Sequence, residues 1–230
     1  MVRRNIYKKS NISNNNIFWT TMADLLLGLA IIFMVLFVLA VSGMTQETLR
    51  ANQTKAQLSE KLGKEFQKNN LDVKVNPMTG DVGISDAQLF EVGSYKLSEK
   101  GKQYLDKFIP VYINNIFSNP EFNENITGLI VQGHTDSQQY ANIKSVNEQY
   151  LRNMELSLQR ANAVAEYIFK TNFDPKYSGM IRKKLTVEGK SFSEPVLVNG
   201  VEDYAQSRRV VLKLKVKNFD ILSQLGFTKD

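Results

Sequence analysis

The sequence predicts an α+β domain, with helices packed on one face of a mixed sheet, carried behind a single transmembrane helix and a linker helix. Two observations carry that prediction. No charged residue occurs from Leu25 to Val41, inside an apolar run that begins at Ile17. Beyond residue 70, short β-rich runs interleave with segments of helical period, in the order β-β-α-β-α-β-β. Strands separated by amphipathic helices bury one sheet face beneath those helices.

Residues 1–16 are polar and Asn-rich and read as a cytoplasmic tail. Arg3, Arg4, Lys8 and Lys9 cluster there, just before the apolar run. Basic residues mark the cytoplasmic flank of a span, so the N-terminus is expected in the cytoplasm and the remainder in the periplasm. A span needs roughly 20 mostly apolar residues, whereas the apolar core of a signal peptide has about 7–15. Residues 17–43 meet the first criterion. Ala40-Val41-Ser42 only weakly resembles a cleavage site, so the span reads as uncleaved and the chain as a single-pass inner-membrane protein. Phe18 and Trp19 suit an interfacial aromatic belt.

The chain has 230 residues, a formal net charge of +6 and no cysteine. Disulfides, zinc–cysteine sites, a thiol nucleophile and a lipoprotein anchor are excluded. The lysines are spread along the chain, unlike the basic stripe of a nucleic-acid binder. There is one histidine and no Gly-rich phosphate loop, so neither a catalytic triad of the usual kinds nor nucleotide hydrolysis is expected. The chain reads as a non-enzyme without a cofactor.

Asp24 is the one acidic residue in the span. One reading is local. Thr21-Met22-Ala23-Asp24 has the S/T-x-x-acid pattern of a capping box, which would make Asp24 a helix-start residue at the membrane surface. The other reading is functional. Asp24 lies five residues past Trp19, about 7–8 Å deeper at 1.5 Å per residue. The apolar residues after it supply only about 26 Å of helix, against a hydrocarbon core of roughly 30 Å. Asp24 therefore sits at the apolar boundary or just inside it, where an ionisable group is costly and is read as functional by default. Desolvation disfavours the charged form of a carboxylate, so such a group can cycle between proton-bound and free states. Thr20 at i−4 and Gly28 at i+4 share its face. The candidate ion-binding set is Asp24 with Thr20 and Thr21. One helix cannot enclose an ion path, so partner helices are implied.

Residues 44–69 favour helix. Leu58, Leu62 and Phe66 form a narrow stripe at i, i+4 and i+8, which reads as a pairing seam, as a helix lying on another surface, or as part of a solvated linker. A compact domain is expected over residues 70–217, followed by a tail over 218–230. "LDVKVNPMTGDVGIS" reads as strand, turn, strand. A helix should start after Ser98 and run through Tyr104, Phe108, Val111 and Ile116. "ITGLIVQGHTD" is a strand ending in a polar loop, and Leu156–Phe169 is an amphipathic helix. Leu185–Val187 and the alternating Arg208–Val216 complete the strands. Asp136 reads locally as a turn residue and Arg160 as a solvated helix charge. His134 is read as a hydrogen-bonding loop residue. Arg208 and Arg209 read either as partners of carboxylates near the site or as structural residues flanking the last strand, the structural role being favoured.

Two motifs weigh against those local readings. "GHTDS" at 133–137, then Asn153, Leu156, Ser157, Arg160 and Ala161 in the spacing N-x-x-L-S-x-x-R-A, resembles the OmpA-like peptidoglycan-binding domain. "SRRVVLKL" from Ser207 is similar to that family's closing strand, with Ser in place of Asn. Trp19 followed by Ala23-Asp24-Leu25 at the start of a single span resembles the B subunits of MotB-type stator motors. The compact length, the "LSLQR" helix and the "SRRV" strand are similar to the B subunits of Zorya anti-phage defence motors.

The resemblance implies an OmpA-like α/β sandwich over roughly residues 70–217. It implies that Asp24 carries the transported ion, a proton with sodium as the alternative. The implied partners are a polytopic A-type subunit, five copies around two of this chain, together with a second copy of the chain itself, peptidoglycan and the membrane, and no nucleic acid. Thr45–Lys55 is the expected plug. Peptidoglycan stems carry a diamino acid with an ammonium and a carboxylate on one centre. Asp136 would take the ammonium and Arg160 the carboxylate, through its planar fork. Asn153 and Leu156 would line the site, with the backbone near Thr135 and Ser137 adding donors. The segment from Ser137 to Arg152 is longer than the family's usual connection. A flagellar-type stator and a passive wall tether without ion flux are the alternatives.

Overall fold

The structure, a computed structural model, describes residues 10–91 and 93–216. It divides into two compact units, one up to Leu49 and one from Arg50 onward. Helix α1 spans Ser10–Lys68. Within it, Ile17–Leu39 is the one stretch among the described residues that is long and apolar enough to cross a membrane, with a mean hydropathy of 2.7. Its side chains are exposed throughout.

Because α1 starts at Ser10, Thr21 and Asp24 lie inside a helix and not at its beginning. The capping-box reading is thereby overturned, since no free N–H groups remain at that point for a cap to satisfy. Thr21 Oγ1 instead donates to the Ile17 and Phe18 carbonyls, at 3.1 and 3.0 Å. The expected tails at residues 1–9 and 217–230 lie outside the described residues. So do most side chains of the expected plug, Thr45–Lys55, whose backbone is helical.

The second unit begins within α1, ahead of the boundary expected at residue 70. Leu58, Leu62 and Phe66 are buried members of its core. The stripe is thus a helix lying on another surface, and that surface belongs to the same chain. Phe66 stacks on Phe108, and Phe108 on Tyr112, with centroids 5.3 and 5.4 Å apart. Ser59 donates to the Asn76 carbonyl at 3.0 Å.

Strands β1 (Lys74–Val75) and β2 (Val82–Ser85) form the expected hairpin. Asn76 closes it by accepting from Met78 N and Gly80 N, at 2.9 Å each, and Gly80 turns the chain with φ 73°. Two helices follow, α2 (Asp86–Leu89) and α3 (Glu99–Phe117). The Ser98 hydroxyl accepts from Gly101 N at 3.0 Å and so caps α3, as its position before the periodic run predicts. Helix α4 (Pro120–Asn125) leads into β3 (Ile126–His134). Helix α5 (Val146–Ile168) begins well ahead of the expected Leu156. It absorbs the latter part of the 137–152 segment, because Ser145 caps it by accepting from Glu148 N at 3.4 Å. The long connection is therefore the nine-residue loop 137–145 and two turns of helix.

After a 3₁₀ turn at Pro175–Tyr177, α6 (Ser178–Lys184) leads into β4 (Leu185–Gly189). A small hairpin, β5 (Leu197–Val198) and β6 (Val201–Glu202), then precedes α7 (Tyr204–Ser207) and β7 (Arg209–Val216). The main sheet has the order β1-β2-β7-β3-β4. Among the described residues only β3 and β4 pair in parallel, joined through α5, so the sheet is mixed. The α+β expectation therefore holds.

Residues paired across strands share a face. Leu129, Val131, Val210, Leu212, Leu214, Val82 and Ile84 all face the helices and are buried. Their neighbours Gln132, His134, Arg209, Val211, Lys213 and Gly83 face the other way. On the helix side α5 approaches β3 so closely that a Cβ on Gly133 would stand 1.9 Å from the Ser157 carbonyl oxygen. Gly133→Ala should therefore cost about 2–3 kcal/mol or more in denaturant unfolding, because two backbones must part. Gly179→Ala, on an open helix face with nothing within 4 Å, should be neutral or stabilising by up to about 1 kcal/mol. Equal stability of both variants would refute this packing.

Candidate functional site

The close approach of α5 to β3 sets the site. Ser157 faces Gly133; its Oγ donates to the Met154 carbonyl at 2.8 Å and accepts from Ser191 N at 3.1 Å. That pins the turn after β4, where the Ser191 carbonyl in turn accepts from Thr135 N at 2.9 Å. The Ser of the L-S-x-x-R spacing thus holds the loop beyond β3 against α5. One turn further along α5, Arg160 comes to face Asp86 at the start of α2.

These elements enclose a cavity of about 470 Å³. Thr135, Asp136, Asn153, Leu156 and Arg160 all line it, so the structure brings the five wall-binding candidates together. Asp86, Phe90, Tyr140 and Arg208 line it as well. Asp24, Thr20 and Thr21 lie on the apolar helix, in the other compact unit.

The charges form a chain. Arg160 Nη1 stands 3.2 Å from Asp86 Oδ2, and its Nε donates to the Ser94 carbonyl at 3.1 Å. Arg208 Nε stands 3.6 Å from the same Asp86 oxygen, and Arg208 Nη1 donates to Asp136. Asp136 therefore pairs with Arg208, while Arg160 pairs with Asp86. Arg208 belongs to the site, so of its two readings the pairing with carboxylates holds and the favoured structural one is corrected: it is the last residue before β7, at the sheet end that opens on the cavity. Asp86 was missed because "SDAQL" reads from sequence as the end of a hairpin. The local reading of Asp136 holds in part, since its Oδ1 also accepts from Gln138 N at 3.3 Å.

Burial pushes the Asp86 carboxyl up, against the pull of Arg160 and Arg208, and pushes the Arg160 guanidinium down, against the pull of Asp86. Both charges are poorly hydrated and compensate each other. Arg160 also lies over the Phe90 ring, 5.3 Å from its centroid. Tyr140 donates to Asn153 Oδ1 at 3.3 Å, and Asn153 donates to the Gln149 carbonyl at 3.1 Å. The Thr135 hydroxyl, only 3% exposed, has no hydrogen-bond partner among the described residues. Two carboxylates, two guanidiniums and an unclaimed hydroxyl beside Phe90 and Leu156 suit a ligand with both charges and an aliphatic stem.

The OmpA family matches residues 89–209, more than half of the chain and nearly all of this cavity. The chain belongs to the OmpA family. It is 28% identical over 211 residues to the Zorya protein ZorB of Escherichia coli strain ATCC 8739, across 87% of this chain and 88% of that protein. It is 26% identical to the Zorya protein ZorB of Escherichia coli O139:H28, across 86% and 80%. In fold it is similar to the crystal structure of a putative MotB-like protein from Desulfovibrio vulgaris. That match has a TM-score of 0.51 at 17% identity, and covers 75% of this chain and 97% of the other.

Within the OmpA fold, His134 is the last residue of β3 and is 1% exposed, with no partner at either ring nitrogen. It is not the hydrogen-bonding loop residue expected from sequence, because β3 continues through it in register with Arg209. Burial, with Arg209, Lys190 and Lys213 nearby, holds its pKa down at about 3. Unfolding frees it to titrate near 6.5. Its contribution to stability is therefore full above about pH 6.5 and is lost as the pH falls toward 3. Wild type should lose up to about 4–5 kcal/mol more than His134→Gln between those limits. Parallel pH–stability curves for the two proteins would contradict the buried neutral imidazole.

Proposed function

We propose that the chain is the membrane-anchored, peptidoglycan-binding B-type subunit of a proton-driven stator motor, with Asp24 as the ion-carrying carboxylate, and that the motor serves anti-phage defence. One observation carries the motor part. Asp24 is the only ionisable residue of Ile17–Leu39, and it lies about four turns into α1, so it serves no helix terminus. An acidic group kept at such a position is costly unless it binds an ion or faces partner helices. The partner is a polytopic A-type subunit, five copies around two of this chain, in an inner membrane with the N-terminus cytoplasmic and the OmpA domain periplasmic. Similarity to the two Zorya proteins favours defence over flagellar rotation.

The wall-binding part rests on the cavity. A diamino acid centre would place its ammonium between Asp136 and Asp86 and its carboxylate on the Arg160 and Arg208 forks, within reach of the Thr135 hydroxyl. The aliphatic stem would lie along Phe90 and Leu156. The ligand's two charges match a site whose own charges balance, so binding adds no net charge to a poorly hydrated cavity.

Two experiments test these parts separately. Asp24→Asn should abolish phage protection while complex recovery and membrane insertion stay intact; full protection by this variant would leave only a passive tether. The full chain should co-sediment with insoluble peptidoglycan. Arg160→Ala should lose at least about thirtyfold in affinity, from the roughly 2–5 kcal/mol cost of breaking one partner of a shielded charge pair. Arg160→Lys should rescue poorly, since an ammonium lacks the planar fork. Wild-type sedimentation of folded Arg160→Ala would show that the wall binds elsewhere.

A further inference from the structure

The loop 137–145 supplies three residues to the wall of the charged cavity: Gln138, Gln139 and Tyr140. None of them belongs to the GHTDS stretch or to the N-x-x-L-S-x-x-R-A spacing. The wall ligand, as placed above, uses none of them either.

The near half of this loop is fixed from three sides. Gln149 Nε2, on α5, donates to the Ser137 and Gln138 carbonyls at 3.2 and 3.0 Å. Ser137 donates to Glu202 of β6 through its hydroxyl and, at 3.3 Å, through its backbone N–H. Gln138 N donates to Asp136 Oδ1 at 3.3 Å. A turn follows, closed by Ile143 N donating to the Tyr140 carbonyl at 3.1 Å. Tyr140, at the head of that turn, is half-buried, whereas Gln138 and Gln139 are exposed. Tyr140 is therefore the residue that this loop carries into the cavity, on a backbone already held in place, as recognition requires.

Among the described residues the Tyr140 hydroxyl makes one hydrogen bond, to Asn153 Oδ1 at 3.3 Å. That is well beyond the roughly 2.7–2.8 Å usual between a hydroxyl donor and an oxygen, so the bond is weak and open to exchange. Arg160 leans toward the same place. A long helical side chain lies over the turn N-terminal to its own Cα, so Arg160 reaches back along α5 toward Leu156 and Asn153. Burial disfavours the Arg160 charge while Asp86 and then Tyr140 favour it, so the phenol stands close to that guanidinium. The Arg160 Nη1 and Nε face Asp86 and the Ser94 carbonyl, and Nη2 makes no hydrogen bond among the described residues.

The phenol and the guanidinium both donate, and a carboxylate is the ligand group that only accepts. We propose that Tyr140 determines specificity at the wall site: its hydroxyl leaves Asn153 and donates to the ligand carboxylate held by Arg160, so the site selects a diamino acid centre that retains its carboxylate over an amine that lacks one. This rests on the wall-binding reading given above. The exchange releases Asn153 Oδ1 to accept from the ligand's ammonium. One weak bond between neutral groups is thereby replaced by two charge-assisted ones, one on each charge of the same centre.

The test compares two small probes by titration calorimetry on the detergent-solubilised full chain. One is meso-diaminopimelate. The other is cadaverine, which keeps the stem and both amines and lacks both carboxyl groups. Tyr140→Phe keeps the ring and removes only the hydroxyl; circular dichroism checks its folding. It should bind diaminopimelate at least about tenfold more weakly than wild type, the loss of one hydrogen bond to a charged group. It should bind cadaverine no less tightly than wild type does. Wild-type affinity of Tyr140→Phe for diaminopimelate would overturn the proposal. So would an equal loss for both probes, because a hydroxyl that merely positions Asn153 serves both alike. Failure of the wall-binding reading looks different: wild type itself would not bind diaminopimelate, or Arg160→Ala would bind it as tightly as wild type does.

Discussion

The contact on which the domain's site depends is that between the backbones of α5 and β3. At Gly133 the sheet has no room for a side chain, and the Ser157 carbonyl occupies the place where one would stand. A second glycine repeats the arrangement on β4, where a Cβ on Gly189 would come within 2.9 Å of Met154 O and Leu158 N. Two adjacent parallel strands are thus held against one helix at backbone distance. The consequence is positional. Asn153, Leu156 and Arg160 on α5 are fixed in height relative to Thr135 and Asp136 at the end of β3, and the Ser157–Ser191 hydrogen bond keeps the intervening turn from drifting. A site built across two elements is only as exact as the contact between them.

That exactness matters because the site holds four charges in poorly hydrated surroundings. Desolvation of a carboxylate and a guanidinium costs more than a loose pairing returns. Here each group has more than one partner. Arg160 is held by Asp86, the Ser94 carbonyl and the Phe90 ring, and Asp86 lies near both arginines. Such a network contributes little net stability, and replacing it with apolar residues of similar volume would often be neutral. Under the proposed function its value would lie in recognition: the groups that compensate one another would exchange those partners for a ligand bearing both charges.

Much of this architecture is legible in the sequence. The span, the order of the main strands and helices and the helix that starts near Ser98 follow from hydropathy and periodicity, and the five lining residues follow from the resemblance to the OmpA-like domain. The parts that were not legible share a physical cause. The stripe at Leu58, Leu62 and Phe66 gives the same pattern whether it pairs with another chain or with its own domain; only the Phe66–Phe108–Tyr112 stack decides. The capping-box pattern at Thr21 is indistinguishable from a mid-helix Thr whose hydroxyl returns to the carbonyl of the preceding turn. Asp86 gave no signal, and Arg208 only an ambiguous one, because their partners are distant in sequence. Arg208 lies 72 residues from Asp136, and only the antiparallel pairing of β7 with β3 brings them to one end of the sheet.

The two compact units present the same electrostatic problem in different solvents. In the domain, every buried carboxylate of the charged cavity has a guanidinium beside it from the same chain. In the apolar helix, Asp24 has no cation within Ile17–Leu39, since that stretch contains none. A buried charge left alone in protein or lipid is strongly disfavoured, and it is kept only where something outside the element compensates it or where it is neutralised in turn. The domain meets this requirement within its own sequence. The helix cannot: the compensation for Asp24 must come from a proton, another cation or polar groups on neighbouring helices, each of which is absent from its own sequence. A second Asp24 from another copy of this chain would bring only like charge, so self-association alone leaves the requirement unmet. Under the proposed function, that requirement is what the transported ion and the partner subunit would meet.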